Sequence, residues 1–322
     1  MTTRVAAIDC GTNSLRLLIA DVDPGRHTLT DVERRMEIVR LGQGVDATGM
    51  LAPAALERTL TALAGYAGDI RRSGASAVRM VATSATRDAG NAADFTSGVQ
   101  RALGVAPEVI TGDEEARLSF AGATAELAAA GASAGPRLEP PYLVVDIGGG
   151  STEFVLGGNE GAASADLSAI SVDIGCVRLT ERHLHSDPPT PGQVAAATAD
   201  IDKALADVAA AVPVGEARTL VGLAGSVTTV TAIALGLGVY DPARTHHARL
   251  GAGTVHAVTE QLLGQTHEQR AAIGSLHPGR VDVIGAGALV LDRVLHQFAF
   301  AEVVTSEHDI LDGIAWSIVG GA

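Results

Sequence analysis

Asp9-Cys-Gly-Thr-Asn-Ser14 and Asp146-Ile-Gly-Gly-Gly-Ser151 share one pattern, D-x-G-x-x-S, 137 residues apart. Each follows an apolar run (residues 5–8 and 142–145) and precedes another (15–20 and 154–156). Both therefore read as glycine-bearing turns between two strands. A turn of this kind gathers several backbone N–H groups at one point, a concavity that binds phosphate oxygens without a positive side chain. A plain hairpin with glycine for positive φ is the competing reading of either stretch alone. The shared register of acid and serine favours two related domains, each contributing one loop to a common cleft. The acids that open the loops, Asp9 and Asp146, suit Mg²⁺, which keeps most of its water and takes one or two carboxylates plus phosphate.

Outward from these stretches the chain alternates strand and helix signals. A third strand at 29–40 precedes a helix at 53–73, opened by Pro53 and carrying Leu56, Leu60 and Leu63 on one face. A strand at 77–82, a polar loop at 83–91, a helix at 92–103 and a short strand near Val109 lead to an alanine-rich helix reaching about residue 130. Residues 131–136, with Pro140-Pro141, form the clearest break. Helices are expected at 193–211, from Val227, at 281–299 and at 309–319, the last amphipathic. Mixed elements in this order predict α/β layers.

Composition bounds the function. The 322 residues suffice for two domains at about 150 residues each. Acids outnumber bases 37 to 23, and Lys203 is the only lysine, which argues against a basic nucleic-acid or membrane surface and against a Walker-type loop. Aromatics at 3% leave no base-stacking platform. Cys10 and Cys176 form no CxxC pair and read as small buried residues in a reduced, cytoplasmic protein. The N-terminus, MTTRVAAIDCG, lacks the apolar stretch of a signal peptide. Residues 219–240 carry no charge and are long enough to cross a bilayer, but their glycines, threonines and central Gly225-Ser226 favour a buried strand, a turn and a helix.

Other residues offer chemistry with a bland alternative beside each. Gly225 and Ser226, at a strand-to-helix turn, could present amides to a phosphate or simply pack closely. Arg87, in a loop after a strand, has the fork geometry for phosphate, or pairs with Asp88. Glu114, Glu115 and Arg117 open the alanine-rich helix, where acids ordinarily compensate the dipole, although one glutamate could activate water. Glu153 falls on the same side of its strand as Ser151 and could hold metal or orient that water. His183, His185, His246 and His247 lack HExxH spacing and partner acids, and read as solvated. Ser151 and Ser226 lack a nucleophile elbow.

Taken together, these stretches resemble the exopolyphosphatase/guanosine pentaphosphate phosphatase (Ppx/GppA) family over essentially the whole chain. The matching blocks are AIDCGTNSLRLLIAD (7–21), LGQGVDATGML (41–51), VATSATRDAGN (81–91), ITGDEEARLSFAG (110–122), VVDIGGGSTEF (144–154), GCVRLTER (175–182) and RVDVIGAGA (280–288). The resemblance implies two ribonuclease H-like, actin-like domains around a central cleft: 1–125 with 302–322 packed back, and 126–301. It implies Glu115 as the catalytic base, with Glu153 assisting. Metal falls to Asp146, Asp9 and Glu153, and the cofactor is Mg²⁺, with Mn²⁺ as the alternative. Phosphate contacts fall to Thr12, Asn13, Ser14, Arg87, Gly148, Gly149, Gly150 and Ser151, and Gly225 and Ser226 are added from their turn. The implied activity is release of the terminal phosphate of inorganic polyphosphate. The alternatives are hydrolysis of guanosine pentaphosphate and a non-catalytic nucleotide-sensing module that binds guanosine penta- or tetraphosphate. No nucleic-acid or membrane partner is expected, and a homodimer is left open. Two departures shape the expectation. Residues 306–313 read SEHDILDG where many relatives carry Leu-Arg-Glu-Gly, so a basic residue is missing. The chain also ends after two domains, which points to short polyphosphate.

Overall fold

The computed structural model describes residues 1–125, 138–158 and 167–320. The break expected at 131–136 and the helix expected beyond Thr124 to residue 130 lie outside these residues. Strands β1 (Thr3–Cys10), β2 (Ser14–Asp23) and β3 (Thr28–Ile38) form an antiparallel meander. Helix α1 (Pro53–Ser73), β4 (Ala77–Ala82), α2 (Ala92–Leu103), β5 (Glu108–Val109) and α3 (Gly112–Thr124) follow. Then come β6 (Tyr142–Ile147), β7 (Thr152–Gly157), β8 (Ser168–Val172), α4 (Cys176–His183) and α5 (Pro191–Ala211). The strands and longer helices after these are β9 (Thr219–Leu223), α6 (Ala224–Ala234), β10 (Arg249–Gly251), α7 (Ala252–Gly264), α8 (Ile284–Gln297), β11 (Glu302–Thr305) and α9 (Ile310–Ile318).

Two compact units result: Met1–Gly122 with His308–Ala322, and Ala123–Glu307. The first has a five-stranded sheet ordered β3-β2-β1-β4-β5, in which β4 runs parallel to β1 and β5 parallel to β4. Alternation along the strands fills both faces. Ala6, Ile8 and Cys10 pack with Leu63 and Tyr66 of α1 and Phe95 of α2, while Val5, Ala7 and Leu18 pack with Leu118 of α3 and Ile310, Ile314 and Trp316 of α9. Asp9 and Arg16, two residues along from Ala7 and Leu18, share the α9 side.

The second unit repeats the scheme with order β10-β11-β9-β6-β7-β8; β6-β7-β8 is the meander and β9 and β11 run parallel to β6. Its core joins Leu143, Val145 and Phe154 to Leu205 of α5, Val230 of α6 and Val290 of α8. Strand β11 belongs to this second sheet, so the segment that returns to the first unit starts at His308. The uncharged stretch 219–240 is strand β9 and helix α6, and among the described residues no helix is long and apolar enough to cross a membrane.

Candidate active site

The first D-x-G-x-x-S stretch is the β1–β2 turn. The Gly11 N–H donates to Ser14 O at 3.0 Å and closes it. Two of its carbonyls are held from outside: Gly42 N–H donates to Thr12 O (2.8 Å), and Val39 and Arg40 N–H donate to Asn13 O (3.0 and 2.9 Å). In a trans peptide the C=O and the following N–H point in opposite directions. Holding the Thr12 carbonyl therefore turns the Asn13 N–H away from the 39–42 segment. The approach is so close that a Cβ on Gly42 would collide with the Thr12 side chain. Thr12 Oγ1 in turn shares a 2.8 Å hydrogen bond with Ser84 Oγ.

The second stretch repeats this with different material. The Gly148 N–H donates to Ser151 O at 3.1 Å. The first turn of α4 donates to the loop from behind: Cys176 N–H to Gly148 O (3.0 Å), Val177 N–H to Gly149 O (2.8 Å) and Arg178 N–H to Gly149 O (3.1 Å). Arg178 Nε completes the set at Gly150 O, 2.6 Å. Gly175 is required here, because a Cβ would strike the Gly149–Gly150 peptide. The N–H groups of Gly149, Gly150 and Ser151 have no partner among the described residues, the kind of backbone arrangement that can receive an anion.

The acids beside the two loops differ. Asp146 and Glu153 are directly paired across β6 and β7, both buried, so two carboxylates share one face. Ser171 Oγ of β8 donates to Glu153 Oε1 at 2.7 Å. At the equivalent register Asp9 faces Arg16, which donates to Asp9 Oδ2 from Nε (3.0 Å) and Nη2 (2.8 Å). Arg16 Nη1 also donates to Asp309, the N-cap of α9. The second oxygen, Asp9 Oδ1, is buried without a partner. Burial pushes the Asp9 carboxyl up against the pull of Arg16. Burial acts the same way on Asp309, but Arg16 and Arg34 outweigh it and hold that carboxyl below its ordinary value.

These donor sets fit a hard divalent cation. In the second unit Asp146 and Glu153 provide the one or two carboxylates Mg²⁺ takes, and in the first unit Asp9 keeps one oxygen able to accept from a water. Among the described residues no group of three or more His, Cys, Asp or Glu side chains converges, so remaining positions would be filled by water and phosphate.

Glu115 and Arg87 are brought together: Arg87 Nη1 donates to Glu115 Oε2 at 2.7 Å and to Ile110 O at 3.0 Å. Of the three acids opening α3 only Glu115 is buried; Glu114 pairs with Arg79 and Asp113 with Arg117. The polar loop expected at 83–91 contains a helical turn, Ser84–Arg87, with Thr83, Ser84 and Thr86 buried. Its small residues let it sit between β4 and α2, which polarity alone conceals. Gly225 and Ser226 lie inside the first turn of α6 rather than in a turn before it, the reversal falling on Ala224 at φ 64°. Ser226 Oγ and the buried Cys176 side chain both lie against Gly287, where a Cβ would meet them.

Several residues had no role in the sequence reading. Arg280 Nη1 donates to Gly225 O (2.9 Å) and Thr229 Oγ1 (3.3 Å), placing a guanidinium at the start of α6. Arg178 and Arg16 stand in the quoted blocks, and their arginine type beside each loop was the available signal. The acids of 306–313 are paired with arginines from other strands: Arg34 of β3 donates to Asp312 (2.6 Å) and Arg16 of β2 to Asp309. His183, expected to be solvated, pairs with Asp200 at 3.1 Å, an acid 17 positions away that spacing did not reveal.

Two α/β units, each with an antiparallel meander and a glycine turn in its opening hairpin, define the class: a duplicated α/β fold shared with solved Ppx/GppA proteins. The family model for the Ppx/GppA phosphatase family matches residues 18–320. The chain is 51% identical over 99% of both chains to exopolyphosphatase 2 of Mycobacterium tuberculosis. It resembles the crystal structure of an exopolyphosphatase-like protein at TM-score 0.92 and 44% identity, covering 98% of each chain. An Aquifex aeolicus Ppx/GppA member matches at TM-score 0.78 and 30% identity, over 99% of this chain and 98% of that one. The chain belongs to the Ppx/GppA phosphatase family.

Proposed function

We propose that the chain is an exopolyphosphatase that removes the terminal phosphoryl group of inorganic polyphosphate, short chains foremost, by attack of water. The observation that carries this reading is the duplicated loop whose carbonyls are held from behind, leaving amide N–H groups for phosphoryl oxygens, beside a buried acid pair at the second loop. The 51% identity to a protein named exopolyphosphatase supports the same substrate.

Asp146 and Glu153 would hold Mg²⁺, or Mn²⁺ in its place, and in the first unit Asp9 Oδ1 would accept a hydrogen bond from water. When bound, the cation offsets phosphate charge. Thr12, Asn13 and Ser14 and the 148–151 amides bind phosphoryl oxygens, and these fixed dipoles supply most of the rate enhancement in such transfers. Gly225, Ser226 and Arg280 border a further phosphate position at α6. Glu115 accepts the proton of the attacking water, and Arg87 holds its carboxylate in place and adds positive charge toward the transferred group. Orthophosphate leaves with a chain one unit shorter.

The test is a phosphate-release panel with Mg²⁺ on short polyphosphate, long polyphosphate, guanosine pentaphosphate and ATP, using wild type and Glu115→Gln. Short polyphosphate should give the highest kcat/KM, and the variant should lose about 10²–10⁴-fold in kcat while still binding substrate. Preference for guanosine pentaphosphate would move the reading to the nucleotide, and near-normal turnover by Glu115→Gln would remove the base assignment.

A further inference from the structure

The loop 148–151 is backed by the N-terminus of α4, whose amides are spent on the protein itself. Cys176, Val177 and Arg178 N–H groups take the Gly148 and Gly149 carbonyls. The third carbonyl, Gly150 O, is beyond this backbone pattern and is taken by the Arg178 side chain through Nε at 2.6 Å. Each held carbonyl fixes one N–H on the opposite edge of its peptide: Gly148 O fixes Gly149 N–H, Gly149 O fixes Gly150 N–H, and Gly150 O fixes Ser151 N–H. The last of these three donors therefore depends on one side chain. Glycine at 150 gives this peptide little steric resistance to rotation. The Arg178 side chain is 11% exposed, and its Nη2 also lies 3.7 Å from Asp173, a mostly exposed acid. In the first unit the corresponding carbonyl, Asn13 O, is held by the Val39 and Arg40 backbone amides.

We propose that Arg178 is a positioning residue that locks the Gly150–Ser151 peptide so that the Ser151 N–H serves as the third phosphate donor of the second loop. It touches no substrate and acts through the Gly150 carbonyl. This rests on the reading of the loop as a phosphate cradle. Removing one fixed donor of this kind typically costs 10²–10³-fold in kcat. Because the unlocked peptide still visits its working orientation, the loss expected here is about 10–100-fold.

The experiment titrates orthophosphate into wild type, Arg178→Met and Arg178→Lys, following the backbone amide resonances of Gly149, Gly150 and Ser151, with phosphate release from short polyphosphate measured in parallel. In wild type all three amides should shift. In Arg178→Met, Gly149 and Gly150 should still respond, Ser151 should lose its response, and kcat should fall about 10–100-fold. Arg178→Lys, which keeps a donor on a similar stem, should recover part of both and provides the test if the Met variant does not fold. A Ser151 response equal to wild type in a folded variant, with kcat/KM within twofold, overturns the proposal. Absence of any amide response and of turnover in wild type instead overturns the phosphate-cradle reading, and the proposal with it.

Discussion

The β1–β2 and β6–β7 hairpins are the same backbone device with opposite electrostatics. Each turn closes through a glycine N–H to a serine carbonyl three residues on, and each has its carbonyls held from behind. Across the strand pair, however, Asp9 faces an arginine and Asp146 faces a glutamate. One cross-strand residue thus separates an acid paired with an arginine from a pair of buried acids facing each other. The comparison teaches that the loop geometry is common to both units, whereas the charge beside it is set by what stands opposite the aspartate.

The strongest way to break this contrast is Glu153→Gln, which removes the acid facing Asp146. Phosphate release with saturating Mg²⁺ should fall about 10²–10⁴-fold, in line with loss of an acid acting on the attacking water. The reverse operation on the first hairpin is Arg16→Met. It strands Asp9 and Asp309, both buried, without their shared cation, and should destabilise the fold by about 3–5 kcal/mol, read from urea unfolding.

The supports behind the loops can be compared through their two close-approach glycines. Gly175→Ala drives a methyl into the Gly149–Gly150 backbone, which cannot give way without moving the loop, and should cost about 1–3 kcal/mol and weaken orthophosphate binding. Gly42→Ala meets the Thr12 side chain instead. Rotating that side chain breaks its hydrogen bond to Ser84, a smaller loss of about 0.5–1.5 kcal/mol. Equal effects on phosphate affinity would mean that the loops are not held in different ways.

The smallest effect concerns acid. The Asp309 carboxyl is held below its unfolded value, so its ion pairing stabilises the fold above about pH 4 and is lost as pH falls through the carboxylate range. Asp309→Asn should flatten the acid side of a plot of stability against pH, while the neutral-pH dependence stays unchanged. An acid limb as steep as that of wild type would remove Asp309 from the account.

The chain's alternating pattern made much of this architecture legible. The helix at 53–73 and the strand at 77–82 follow directly from Pro53, the leucine spacing and a buried β-rich run. Strand β11 was not legible, because Glu302–Thr305 is four residues long and its pairing with β9 is set by a contact some eighty positions away. In the site, Asp146, Glu153 and the glycine loops could be read because their relation is local, within one hairpin. The partners Arg178 to Gly150, Arg280 to Gly225 and Arg16 to Asp309 join distant stretches, and no periodicity or turn chemistry announces them. The resemblance to relatives located the blocks that contain these arginines but assigned them no contact.

The most direct test of the contrast is Mn²⁺ binding measured by electron paramagnetic resonance on wild type, Glu153→Gln and Asp9→Asn. The account predicts that Glu153→Gln weakens binding by about tenfold or more and that Asp9→Asn weakens it far less, since Asp9 offers only one oxygen beside Arg16. A greater loss in Asp9→Asn than in Glu153→Gln would place the cation at the first hairpin and contradict the account.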